Sequence, residues 1–153
     1  MIIRKMEQKD TDAVLSMMRK FYDSPAVFHT SSDQVLRQDI ADCISDMPFL
    51  DGFVFDFDGK LVGYAMTAQN YTTEYGGISV WLEDLYIEPQ YRRQGIASKF
   101  LSFMEEYYPQ AVRFKLEVEK ENEAAIASYQ NNGYHISPYI EMTKEIFLDD
   151  ETE

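Results

Sequence analysis

The sequence predicts an α+β (mixed α/β) fold in which a meander of antiparallel strands passes into a strand-helix-strand-helix unit. Three observations carry this. Phe53 to Phe57 and Leu61 to Ala68 are rich in branched and aromatic residues and flank Asp58-Gly59-Lys60, a hairpin signal. Val112, Phe114, Leu116 and Val118 alternate with Arg113, Lys115, Glu117 and Glu119, the period of a half-buried strand. Between these, Trp81 to Leu101 reads as a strand, a turn carrying Arg92, Arg93 and Gly95, and a helix with Ile96, Ala97, Phe100, Leu101 and Met104 at helical spacing.

In chain order, Ile2 to Met6 is expected to be the first strand. Asp10-Thr11-Asp12 offers N-cap residues for a helix whose inner face is Ala13, Val14, Met17, Met18, Phe21 and Tyr22, ending at Ser24-Pro25. Ser31-Ser32-Asp33 can cap a second helix, with Val35, Leu36, Ile40, Cys43 and Ile44 inward. After the hairpin, Tyr71 to Gly77 reads as a polar turn. Glu88-Pro89 stops the strand that begins at Trp81, because proline supplies no N–H and restrains its predecessor. A helix over 95–107 ends near Pro109. After the strand at 112–118, Asn122 can cap a helix running to about Asn131, and Asn132-Gly133 ends it. Tyr134 to Ile136 and Ile140 to Ile146 are expected as the last strands. The order is β-α-α-β-β-β-α-β-α-β-β, one domain over 1–148 followed by an acidic tail at 149–153.

With 153 residues and 45% apolar composition, the chain can bury a substantial core. The net charge of −13 argues against nucleic acid and anionic membranes as partners and favours cationic ligands. No apolar run approaches the ~20 residues of a membrane span. Met-Ile-Ile-Arg-Lys does not read as a signal peptide, and a cytoplasmic protein is expected. Cys43 is the lone cysteine, and with His29 and His135 the only histidines, no metal site is expected.

Against this acidic background, the basic turn stands out. The helix start at Gln94-Gly95-Ile96-Ala97-Ser98 has backbone N–H groups without intrahelical partners and a dipole that favours anions. Arg92 and Arg93 add two charges at the same end. That is the chemistry of a phosphate site. No Gly-Lys-Ser/Thr follows, which argues against a nucleotide hydrolase.

The run Arg92-Arg93-Gln94-Gly95-Ile96-Ala97 resembles the Arg/Gln-x-x-Gly-x-Gly/Ala signature of the GNAT acetyltransferases. Asn122, Tyr129 and Gly133-Tyr134 also fall where that family has them, and the likeness in element order covers nearly the whole chain. Leu82-Glu83-Asp84-Leu85-Tyr86-Ile87 looks like the diamine and polyamine branch. The resemblance implies the GNAT-like acyl-CoA N-acyltransferase fold, a mostly antiparallel twisted sheet with a bulged strand and flanking helices. It implies acetyl-CoA as cosubstrate, with its pyrophosphate held at Arg92, Arg93, Gln94, Gly95, Ile96, Ala97 and Ser98. Leu85, Tyr86 and Ile87 would pair with the pantetheine amides as an added strand, near Asn122 and Ala125. Glu83 would take the acceptor amine's proton and Tyr129 would protonate the leaving thiolate. Homodimers are frequent among such proteins, and a homodimer is expected.

By pattern alone, Tyr129 is a core tyrosine, Glu83 is half of a salt bridge on the buried parity of Trp81, Leu85 and Ile87, and Asp84 is solvated on the other face. Arg92 and Arg93 could equally be surface ion pairs. Three readings of function stay open: acetylation of a small cationic amine, acetylation of a protein or peptide, and a non-catalytic acyl-CoA-binding module.

Overall fold

The computed structural model describes residues 1–146, and the acidic tail at 149–153 lies outside them. Five strands, β1 (Ile2–Lys5), β2 (Leu50–Phe57), β3 (Lys60–Thr72), β4 (Gly77–Ile87) and β5 (Ala111–Leu116), lie side by side in chain order. Every neighbouring pair is antiparallel except β4 and β5, which are parallel. The helices are α1 (Thr11–Tyr22), α2 (Asp33–Ile44), α3 (Ile96–Tyr107) and α4 (Glu123–Asn131).

Local chemistry accounts for most boundaries. Asp58 and Gly59 both have positive φ (52° and 90°), the geometry of a two-residue hairpin whose twist matches its strands. Ser32 caps α2 by accepting from the Val35 N–H at 3.3 Å. Asp10 stands at the N-cap of α1 but directs its carboxylate elsewhere. It is buried and takes a two-pronged bond from the Arg4 guanidinium (2.8 and 2.9 Å) and another from the Glu7 N–H. Its pKa is lowered accordingly: Arg4 and the Glu7 amide outweigh the opposing, largest single contribution from burial. The turn expected at 71–77 is tighter than the sequence predicts, because β3 and β4 stay paired to Thr72 and Gly77.

The sheet separates two cores. On one face, Val14, Met17 and Met18 of α1 and Leu36, Ile40 and Cys43 of α2 pack against Val54, Tyr64, Met66 and Tyr86. On the other, Ile96, Phe100, Leu101 and Met104 of α3 pack against Phe53, Phe55, Val62, Ala65, Val80 and Leu82. Residue Tyr129 of α4 packs against the edge of this second core.

Two irregularities in β4 shape the site. Leu82 pairs with Thr67 and Asp84 with Met66, so Glu83 is an extra residue with no partner on β3, a β-bulge. On its other side, β4 pairs with β5 only from Ile78 to Leu82, while β4 itself continues to Ile87. The backbone from Glu83 to Ile87 therefore has a free edge.

The strands expected at 134–136 and 140–146 are absent among the described residues. This segment and β5 both line a cavity of about 710 Å³, and none of the described backbone hydrogen bonds joins the two. Its apolar residues Ile136, Tyr139, Ile140, Met142 and Ile146 are exposed.

Candidate active site

The turn after β4 is built from backbone conformation. A 3₁₀ turn, Pro89–Tyr91, follows the Glu88-Pro89 stop, and Arg93 and Gly95 then adopt positive φ (63° and 79°). Lys99 N–H to Gly95 O, at 3.0 Å, is the first bond of α3, so the Ile96, Ala97 and Ser98 N–H groups lie ahead of the ladder. Successive N–H groups in such a turn form an anion-binding concavity. A Cβ built on Gly95 would meet no protein atom within 4 Å, so the space before the helix is open.

The two arginines are not ion-paired to any carboxylate among the described residues. Arg92 is exposed; its Nε donates to Ile87 O at 2.8 Å, and its guanidinium lies 5.6 Å from the Tyr86 ring centroid. It thus links the end of β4 to the helix start. Arg93 and Gln94 are exposed, and Gln94 donates to Gln90 O. Leu85 and Ile87 are half-buried against the α3 core, while Tyr86 is buried on the opposite face. The Lys20 ammonium pairs with Glu88 at 2.9 Å, tying α1 to the same turn.

Helix α4 closes the other side. Asn122 caps it, accepting from the Ala125 N–H at 3.2 Å. Asn132 donates to both Ser98 Oγ (3.1 Å) and Ser128 O (2.8 Å), which anchors the end of α4 to the start of α3. Tyr129 lies on that last turn, half-buried, with its ring 6.0 Å from Tyr134. Its hydroxyl has no hydrogen-bond partner among the described residues, and burial alone raises its pKa, so it remains a protonated phenol at neutral pH. It lines the 710 Å³ cavity together with Leu116, Glu117, Tyr134 and Glu141.

The structure reverses the expected faces of Glu83 and Asp84. Glu83 is exposed and Asp84 is 5% exposed. The cause is the bulge, because one extra residue exchanges the two faces for everything after it. No ion pair or hydrogen bond holds Glu83 among the described residues, so the salt bridge allowed by its sequence pattern is not formed. Partial burial, then Asp84, then Glu141 raise its pKa. Glu117 is raised by burial, then by Glu141 and Glu83. Glu83, Glu117 and Glu141 therefore share one neighbourhood, a convergence that no local pattern announces.

Asp84 accepts from Tyr22 (3.0 Å) and Tyr64 (2.9 Å). Burial nevertheless outweighs these bonds and pushes its pKa up to about 6. Trp81 is half-buried, with the Lys115 ammonium 4.3 Å from its ring centroid.

The acetyltransferase (GNAT) family profile matches residues 14–134, the span from α1 through the end of α4. The chain belongs to the GNAT family. Relatives named thialysine N-epsilon-acetyltransferase share 29% identity over 145 residues in Sus scrofa, covering 86% of this chain and 82% of the relative. The Mus musculus relative of that name is 32% identical over 109 residues, 65% of this chain and 62% of its own. Among solved structures, a possible acetyltransferase from Clostridium difficile 630 superposes with a TM-score of 0.83 at 21% identity, covering 96% and 98% of the two chains. An aminoglycoside N-acetyltransferase solved with CoA superposes at 0.79 and 15% identity over 94% and 93%. These two share the GNAT fold. As a GNAT enzyme, the protein transfers acetyl groups, and the parts described above fall within the matched region except for Glu141.

Proposed function

We propose that this enzyme transfers the acetyl group of acetyl-CoA to a primary amine of a small cationic substrate, diamine- or polyamine-like, within a ternary complex. The observation that carries the reading is Glu83 on its bulge, without an ion pair among the described residues and beside Glu117 and Glu141, immediately before the free edge of β4. A group of carboxylates favours an acceptor with more than one positive charge. The relatives named for acetylating thialysine at a side-chain nitrogen agree with an amine acceptor.

In this reading the pyrophosphate of acetyl-CoA rests on the N–H groups from Arg93 to Ser98, with Arg92 and Arg93 beside it. The pantetheine arm adds to the free edge at Leu85, Tyr86 and Ile87, near Asn122 and Ala125. One N–H of that edge polarises the thioester carbonyl. The amine arrives protonated, with a pKa of about 10. Glu83 accepts that proton, directly or through a water, and the freed lone pair attacks the carbonyl carbon. As the C–N bond forms and the C–S bond breaks, Tyr129 gives its proton to the leaving thiolate. No covalent enzyme intermediate is required, and much of the rate comes from alignment.

The second-copy partner fits here as well. The exposed apolar residues of 136–146 support a homodimer in which this segment is covered. A cytoplasmic location is part of the same reading, and no described helix is long and apolar enough to cross a membrane.

The test is free-thiol release from acetyl-CoA across diamines, polyamines, aminoglycosides and lysine-containing peptides. Release with the small polycations and not with the peptides supports the proposal. Release with peptides alone would make it a protein acetyltransferase. Tight CoA binding with no release across the panel would make it a binding module.

A further inference from the structure

Asp84 is a buried carboxylate that the steps above do not use. Its two partners come from different elements, Tyr22 from α1 and Tyr64 from β3. Tyr64 is fully buried, and both phenols belong to the α1/α2 face of the sheet.

The observed register of β4 beyond Leu82 can be set against the regular one. In the regular one, Glu83 would sit opposite Met66 and Asp84 opposite Ala65. Asp84 would then face the α3 core, among the rings of Phe53, Phe55 and Phe100. In the register observed, Glu83 is expelled and Asp84 sits opposite Met66, facing the two phenols. A carboxylate is strongly disfavoured among apolar rings and tolerated where donors meet it. The Tyr22–Asp84–Tyr64 cluster therefore selects the bulged register.

We propose that Asp84 is a positioning residue for the acceptor-side base: anchored by Tyr22 and Tyr64, it pins the bulge that turns Glu83 outward. The proposal rests on the reading of Glu83 as that base. Asp84 also sets the electrostatics around Glu83, together with Glu117 just after β5 and Glu141 from the C-terminal segment; Tyr22 from α1 senses both Asp84 and Glu83, and Asp39 from α2 faces Asp84.

The experiment compares Asp84→Asn, Tyr22→Phe, Glu83→Gln and the Glu83→Gln/Asp84→Asn double variant by steady-state kinetics with acetyl-CoA and the best amine found. Asp84→Asn is expected to lower kcat about 10- to 100-fold with little change in KM for acetyl-CoA. The acid limb of its kcat/KM profile should move to lower pH, because the negative neighbour of Glu83 is gone. Tyr22→Phe, the gentler change should Asp84→Asn fold poorly, removes one anchor and should lower kcat in the same direction while leaving the charge in place. The double variant should be no slower than Glu83→Gln alone, since Asp84 acts through Glu83. A purely structural Asp84 would lower thermal stability, leave the acid limb unmoved and add its kinetic loss independently in the double variant, which would overturn the proposal. Full activity in Glu83→Gln would remove the base reading and this inference with it. A crippled Glu83→Gln with an unaffected Asp84→Asn would remove this inference alone.

Discussion

Leu82 and Leu85 are three residues apart in one strand, yet both pack into the α3 core. Side chains an odd number of positions apart normally face opposite sides of a sheet. Here Glu83 is looped out between them, so the alternation restarts with opposite parity. That single insertion exposes Glu83, buries Asp84 beneath two tyrosines and marks where β4 parts from β5. The proposed acceptor side at Glu83 and the proposed acetyl-CoA edge at Leu85 to Ile87 thus start from the same backbone irregularity.

Removing the Tyr129 hydroxyl separates chemistry from packing. Tyr129→Phe keeps the ring against Tyr134, and the hydroxyl has no partner to orphan among the described residues. Stability should change by less than about 0.5 kcal/mol. The kcat of Tyr129→Phe should fall by about 100-fold with acetyl-CoA affinity nearly unchanged, read by steady-state rates and calorimetric binding.

Glu83 must be ionised to accept a proton, and its pKa is raised by partial burial, Asp84 and Glu141. In the wild type, kcat/KM should fall on the acid side through an apparent pKa above the ordinary carboxylate range. Glu83→Gln should lower kcat/KM by about 100-fold and erase that limb. A pH profile of both proteins between pH 5 and about 9, run in overlapping buffers, checks it.

Much of this was legible in the sequence. The Asp58-Gly59 hairpin, the caps at Ser32 and Asn122 and the apolar periods of α1, α2 and α3 are local signals, and the structure forms them where they are expected. The turn and helix start proposed to hold the pyrophosphate were legible for the same reason, since Arg92 to Ser98 are contiguous. The bulge was not. Strict alternation over Trp81, Glu83, Leu85 and Ile87 fits an unbroken strand equally well, and register is decided by Tyr22 and Tyr64, which are remote in sequence. Glu141 joins Glu83 through tertiary approach alone. The alternation after Gly133 resembles strands, but a strand needs a hydrogen-bonded edge, and none of the described backbone hydrogen bonds joins 134–146 to β5.

Gly95 tests the turn proposed to hold the pyrophosphate. With φ at 79°, an alanine there costs about 1–2 kcal/mol of backbone strain, and its methyl would project into open space ahead of α3. Gly95→Ala should raise the KM for acetyl-CoA about tenfold or more while kcat at saturation falls less, with a modest loss in melting temperature.

The two raised aspartates predict how stability depends on pH. Asp84 and Asp39 are each pushed up to about 6, chiefly by burial. An acid whose folded pKa exceeds its unfolded value binds more protons when folded, so stability declines as pH rises from about 4 to about 6. For Asp84 the full effect is on the order of 3 kcal/mol. Asp10 opposes this at lower pH: its depressed pKa contributes stability above the ordinary aspartate range that is lost on acidification. Asp84→Asn should flatten the decline between about pH 4 and 6, measured by chemical denaturation across that window.

The most direct test of the central claim is an initial-velocity matrix varying acetyl-CoA and the acceptor amine together. Direct transfer at a single site, with Glu83 and Tyr129 serving one ternary complex, predicts intersecting double-reciprocal lines and no acetylated enzyme after incubation with acetyl-CoA alone. Parallel lines accompanied by a stable acetyl-enzyme mass would contradict it.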